Sequence, residues 1–138
     1  MQIFFDLDGK EYFTTGTISG GTTNSIINDY IAGDTVNGNR VVMLDNNTVV
    51  HADPTDENNY NKIIGISINS GLIGDTIQVI SLGKLGSFGG LVADDTYYLD
   101  IDGQITNIVP ITGLLLEVGV ALTTTILNVK LNHEFITI

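Results

Sequence analysis

Residues 3–9 read Ile-Phe-Phe-Asp-Leu-Asp-Gly, an apolar run that ends in Asp-x-Asp-Gly. Two carboxylates so placed can carry phosphoryl transfer: Asp6 would attack phosphorus and Asp8 would handle the leaving-group proton. That chemistry also needs a downstream Ser or Thr, a lysine to neutralise the phosphate, and an acidic pair to hold Mg²⁺. Lys62 and Lys84, with the pair Asp94 and Asp95, supply the residue types.

Three features argue against it. Haloacid-dehalogenase phosphatases open in this way, but with Thr or a similar small residue where this chain has Lys10. The alternating helices of a parallel α/β fold are missing, and 138 residues is short for that fold. The same pattern also returns at Asp100-Ile101-Asp102-Gly103, inside YLDIDGQIT (98–106), where no phosphatase motif belongs. Both copies sit between apolar segments, where Asp-Gly provides the positive φ angles of a tight hairpin turn. The expectation is two hairpin turns and no catalytic residue.

Other candidates resolve the same way. His51 and His133 lie in or beside β-type segments, and no serine has the Gly-x-Ser-x-Gly context; GISIN (65–69) comes nearest. The stretch HADPTDENNYN (51–61) places Asp53, Asp56 and Glu57 close together. It offers oxygen ligands for calcium, but without the spacing and central glycine of an EF-hand, so it reads as a solvated connection. GKLGSFGG (83–90) follows Gly-Lys with Leu where a phosphate loop needs Ser or Thr, and reads as a flexible connection. No metal or cofactor is expected.

The composition narrows the possible partners, and its acidity serves solubility or else a cation site or a basic partner surface. The net charge of −11 comes from 16 acids against five bases, too few and too scattered to cover nucleic acid or an anionic membrane. With no cysteine, disulfides, thiolate metal sites and a cysteine nucleophile are excluded. No signal-like leader or membrane-length apolar run is present, which predicts a soluble protein made in a cytoplasm. At 138 residues the chain is most simply one domain able to bury about 68% of its unfolded surface.

What must position these residues is a set of short strands. Apolar, β-branched segments recur at 2–6, 10–15, 40–44, 48–52, 62–68 and 76–82. They continue at 96–100, 104–109, 114–122, 125–131 and 134–138, separated by Gly, Asn and Asp. This predicts an all-β fold, a small barrel or sandwich of antiparallel strands. A short helix is expected over NSIINDYI (24–31), and TTGTISGGTT (14–23) reads as a loop or arm. Residues 1–31 are thus expected to form an N-terminal hairpin or arm and residues 32–138 the β domain. The domain echoes itself: Ala-x-Asp-Thr, a strand ending in Leu-Asp, a turn, a β-branched strand, then a proline and a glycine-containing strand occur twice. Pro54 and IIGISI (63–68) match Pro110 and EVGVAL (117–122), which predicts two repeated strand units. RVVML (40–44), KIIGISI (62–68) and LLLEVGVAL (114–122) are apolar on both faces, as in a closed core or a subunit interface.

The pattern of residues 32–131 resembles tailed-phage capsid decoration and head-fibre proteins. The resemblance rests on Gly33-Asp34, Asn46-Asn47, Ala52-Asp53, Gly65-Ile66-Ser67, Gly74-Asp75, Val79 and Gly83-Lys84, with partial recurrence at Ala93 to Leu99 and Gly119-Val120-Ala121. It implies a virion structural protein that binds the capsid surface, or another virion protein, and further copies of itself as a homotrimer, with residues 1–31 as the attachment or trimerisation segment. It brings no catalytic or cofactor residue. The alternative is a receptor- or carbohydrate-binding tip domain of a phage fibre, with Tyr97 or Tyr98 against the glycan.

Overall fold

The computed structural model describes residues 25–137. The hairpin expected over 2–15, with Asp6, Asp8 and Lys10, and the loop over 14–23 lie outside the described residues.

Among the described residues, nine antiparallel strands and two short 3₁₀ turns build one curled sheet that forms half a barrel. The strands are β1 (Ile26–Ile31), β2 (Val41–Asp45), β3 (Thr48–His51), β4 (Ile63–Ser67) and β5 (Thr76–Leu85). They continue with β6 (Thr96–Leu99), β7 (Ile105–Thr106), β8 (Leu114–Ala121) and β9 (Leu127–Thr137). The all-β expectation holds, and most predicted strands fall within a residue or two of these bounds.

The order across the sheet is β3-β2-β4-β5-β9-β8-β6-β7. From either edge it reads second, first, third and fourth strand of a four-stranded unit, and the two fourth strands, β5 and β9, pair at the centre. The two units match in detail. Val41, Val42 and Met43 oppose Ile66, Gly65 and Ile63, with a bulge at Ile64. Thr96, Tyr97 and Tyr98 oppose Val120, Gly119 and Glu117, with a bulge at Val118. The repeat expected from sequence is therefore visible as a shared topology, register and irregularity.

Three local expectations are corrected. The segment expected as a helix over 24–31 is strand β1. Its residues pair from Ile26↔Leu82 to Ile31↔Thr76 on an edge of β5, and six cross-strand partners outweigh the weak helix propensity of so short a segment rich in Ile, Asn and Asp. The segments 125–131 and 134–138 are one strand, β9, because β8 follows it through two irregularities from Ala121↔Leu127 to Leu114↔Thr137. The strand expected over 104–109 keeps only Ile105 and Thr106. Beyond them Ile108 N–H donates to Thr106 Oγ1 at 3.1 Å and Asn107 Nδ2 donates to Asp95 Oδ2 at 3.0 Å, which turn the chain out of the sheet. Pro110 then has no N–H with which to rejoin it.

The concave face buries one core shared by both units: Val41, Ile66 and Ile80 from the first with Leu99, Leu116, Val118, Leu127 and Val129 from the second. The first unit is apolar on its other face too. There Val42, Val49, Ile77 and Val79 pack under Ala32 and Val36 of the chain that follows β1. The two-faced pattern of RVVML and KIIGISI is thus satisfied inside one chain, and a subunit interface is not needed to explain it. The stretch 83–90 is not a free connection either. Gly83–Leu85 complete β5 against β9, Phe88 packs on the core, and Phe88 N–H donates to Thr125 O at 3.1 Å.

Candidate functional site

Among the described residues, a polar cluster lies where the two units touch. The β6–β7 connection carries the second Asp-x-Asp-Gly. Asp100 accepts from Ile101 N–H at 2.8 Å, and Asp102 and Gly103 take φ of 59° and 71°. The turn conformation expected of Asp-Gly is therefore present. Its glycine also does more than turn the chain. Gly103 N–H donates to Ala52 O at 2.8 Å, and a Cβ there would overlap the Val41 carbonyl oxygen, so the absent side chain lets the second unit press against the first.

Asp102 projects into this contact. Arg40 Nη1 donates to its Oδ2 and to its backbone carbonyl, both at 3.0 Å, and His51 Nδ1 lies 2.9 Å from its Oδ1. The hydrogen bond from His51, with the guanidinium of Arg40 beside it, holds the Asp102 carboxyl below the usual carboxylate range. Behind the imidazole, Asn37 N–H donates to His51 Nε2 at 3.0 Å, which leaves Nε2 an acceptor and places the ring proton on Nδ1. Buried Ser67 Oγ donates to Asn37 O at 2.6 Å and accepts from Arg40 N–H at 3.2 Å.

Ser67, His51 and Asp102 are thus joined in series, with the residue types of a hydrolytic triad and the imidazole–carboxylate contact of one. The Asn37 backbone stands between the other two members. Nε2 faces its N–H and the serine proton goes to its carbonyl, so this imidazole is not placed to take a proton from this hydroxyl. The series fixes the 37–40 turn to β4, β3 and the second unit. The sequence singles out Ser67 (inside GISIN), His51 and the motif that holds Asp102, but not Arg40 or Asn37; the β2–β4 pairing sets those two beside Ser67, and the curl of the sheet brings in Asp102.

The remaining candidates are dispersed. Asp94 and Asp95 belong to a turn before β6, while Lys62 ends a 3₁₀ turn and Lys84 lies exposed on β5. Asp53 Oδ1 accepts from both N–H and Oγ1 of Thr55, at 2.9 and 2.7 Å, and these bonds lower its pKa. Asp56 accepts from Asn58 N–H at 2.9 Å and caps the first 3₁₀ turn. The acidic stretch therefore bonds its own backbone, and among the described residues no group of three His, Asp or Glu side chains is placed to hold a metal ion. His133 lies on β9. Tyr97, a candidate glycan contact, is 5% exposed, and its hydroxyl accepts from Val92 N–H at 2.9 Å. Tyr98 is half-buried.

The comparisons add no relative. Neither a scan against protein-family models nor a search of curated proteins returns a match for this chain.

A second feature was not singled out in the sequence. After β7 leaves the sheet, Ile108, Val109 and Ile111 stand 75%, 51% and 86% exposed, beside Ile101 at 63%. Ile111 and Ile101 line a cleft of about 350 Å³ with Pro54, Asp100 and Pro110. A shallower depression next to it shares Asp100, Pro110 and Ile111 and adds Ile108 and Val109. The signal in the sequence was Asn-Ile-Val-Pro-Ile, apolar residues around a proline that no strand can absorb. A further apolar group, Ile26, Ile27 and Ile31, is 45% to 50% exposed on β1. No helix among the described residues is long and apolar enough to cross a membrane.

Proposed function

We propose that this protein is a structural component of a tailed-phage virion, a capsid decoration or head-fibre subunit that binds the capsid surface and other copies of itself. It works by docking and not by catalysis. The observation that supports this best is the apolar end formed by Ile101, Ile108, Val109 and Ile111, because single soluble domains rarely gather exposed side chains of this size at one place without a partner. The exposed isoleucines of β1 are a second apolar surface, suited to contact between copies. The polar residues with catalytic types are meanwhile committed to holding the two units together. The net charge of −11 would keep densely arrayed copies from further association.

The test is co-sedimentation of the purified protein with empty capsid shells of the phage that encodes it, together with light scattering of the protein alone. Saturable binding to shells and a trimeric mass are expected. A monomer that ignores shells and virion proteins would overturn the proposal. A glycan array carries the alternative, since reproducible sugar binding would assign the chain to a fibre tip instead.

A further inference from the structure

The two units provide an internal control for the apolar end. The connection from β3 to β4 and the connection from β7 to β8 occupy the same place in their units and touch each other, with Leu114 N–H donating to Pro54 O at 2.8 Å. In the first unit this connection is polar and folds inward. Asp56 caps its 3₁₀ turn, Asn59 is buried with Nδ2 donating to Asp53 O at 3.0 Å, and Tyr60 packs on the core. In the second unit the equivalent connection carries Ile108, Val109 and Ile111 outward. One scaffold position thus carries a self-satisfied polar loop in one copy and an unsatisfied apolar one in the other, so the fold does not require the exposed residues.

Charge decides what covers them. Asp100 lines both depressions, and Asp53 and Asp102 flank Ile101 on the adjoining surface. Arg40, the base bonded there, is engaged by Asp102. A second copy brought against this end would add its own acids to these, in a chain of net charge −11. We infer that the 107–112 loop and Ile101 form a docking surface for a protein partner that presents an apolar strip bordered by Lys or Arg. This deepens the proposed virion role by naming the chemistry of the bound surface, and it rests on that role only for the partner's identity.

The probe is a pair of designed extended peptides, one alternating Leu with Lys and one alternating Leu with Glu, read by fluorescence anisotropy and hydrogen exchange on the full chain. The expected result is binding of the Leu/Lys peptide, with protection confined to residues 99–113 and no binding of the Leu/Glu peptide. The double variant Ile108→Asp, Ile111→Asp should bind at least tenfold more weakly. That variant is more acidic than the parent, so attraction by net charge alone would strengthen binding instead. Both positions are exposed, and an unchanged thermal midpoint would show that the fold is kept. The inference fails if the two peptides bind alike, if the double variant binds as well or better, or if protection falls elsewhere. It also fails if the full chain does not bind because residues 1–24 or a second copy cover the loop, which a drop in mass for the double variant would reveal for a second copy. Shell binding that survives the double variant would remove this inference and leave the virion role standing.

Discussion

Gly65 and Gly119 hold the same place in the two units. Each lies opposite the second residue of its unit's first strand, Val42 or Tyr97, one residue beyond a bulge. At each, a Cβ would overlap a carbonyl oxygen of the unit's fourth strand, that of Ile80 or of Asn128. Ile80 thus corresponds to Asn128 and Leu82 to Lys130, and Leu82 pairs with Lys130 at the centre of the sheet. A local two-fold through that pair would continue the β5–β9 ladder with Leu131 opposite Ser81. It does not continue, because β1 occupies that edge of β5 from Leu82 onward.

Alanine at either glycine forces a methyl group against a strand carbonyl. Gly65→Ala and Gly119→Ala should each destabilise the protein by about 1–3 kcal/mol, the range for overpacking a close-packed site. Gly89→Ala, where a Cβ meets nothing within 4 Å, should change stability little. Urea unfolding of the three variants gives the comparison. Equal stability of Gly89→Ala and Gly119→Ala would contradict the close approach.

Leu116 is fully buried in the shared core. Leu116→Ala should cost about 2–5 kcal/mol, through lost burial and the cavity left behind. Ile111→Ala should cost almost nothing, since its side chain is 86% exposed. Thermal or urea unfolding would show the contrast, and a comparable loss from both would mean that Ile111 is covered within the chain.

Ser67→Ala removes the hydroxyl that serves Asn37 O and Arg40 N–H. These groups are only part-buried, so losing that partner costs at most about 1–3 kcal/mol. The loss should appear in unfolding experiments and as faster amide exchange over residues 37–40. A variant as stable and protected as the parent would show that the series through Asn37 is not structural.

The Asp102 carboxyl has its pKa lowered in the folded protein, so it stabilises the fold in its charged form. That contribution is complete above the ordinary value of 3.8 and is lost as pH falls through the lowered folded value. Asp53, lowered by its bonds to Thr55, acts in the same direction. Asp102→Asn should therefore be less stable than the parent at neutral pH, and the gap should close in acid. The effect is modest because the side chain is 57% exposed and solvent screens the pair. Stability measured across the acid range checks this, and a gap that widens as pH falls would reverse the sign.

Much of this architecture was legible in the sequence. The β-branched segments and their Asn, Asp and Gly turns fixed strand type and most bounds, because side-chain alternation and turn conformation are local properties. The repeat was visible for the same reason, since Gly65 and Gly119 recur at one position within equivalent segments. The Asp-Gly of the second motif also disclosed its turn, as Asp102 and Gly103 adopt the left-handed conformation that those residues tolerate.

What only the tertiary structure decided is which distant groups meet. NSIINDYI became a strand because β5 offered an open edge, a partner 45 to 56 residues away that no local propensity encodes. ITNIV lost its second half to side-chain bonds from Thr106 and Asn107, and the apolar residues expected in a strand emerged at the surface. Asp102 does more than form the turn expected of its Asp-Gly. The curl of the sheet carries it to Arg40 and His51, so its carboxylate closes one unit onto the other. Sequence alone determined most of the elements because those depend on near neighbours; the exceptions and all the long-range contacts depend on how a twisted sheet bends back on itself, and that is set by the whole core at once.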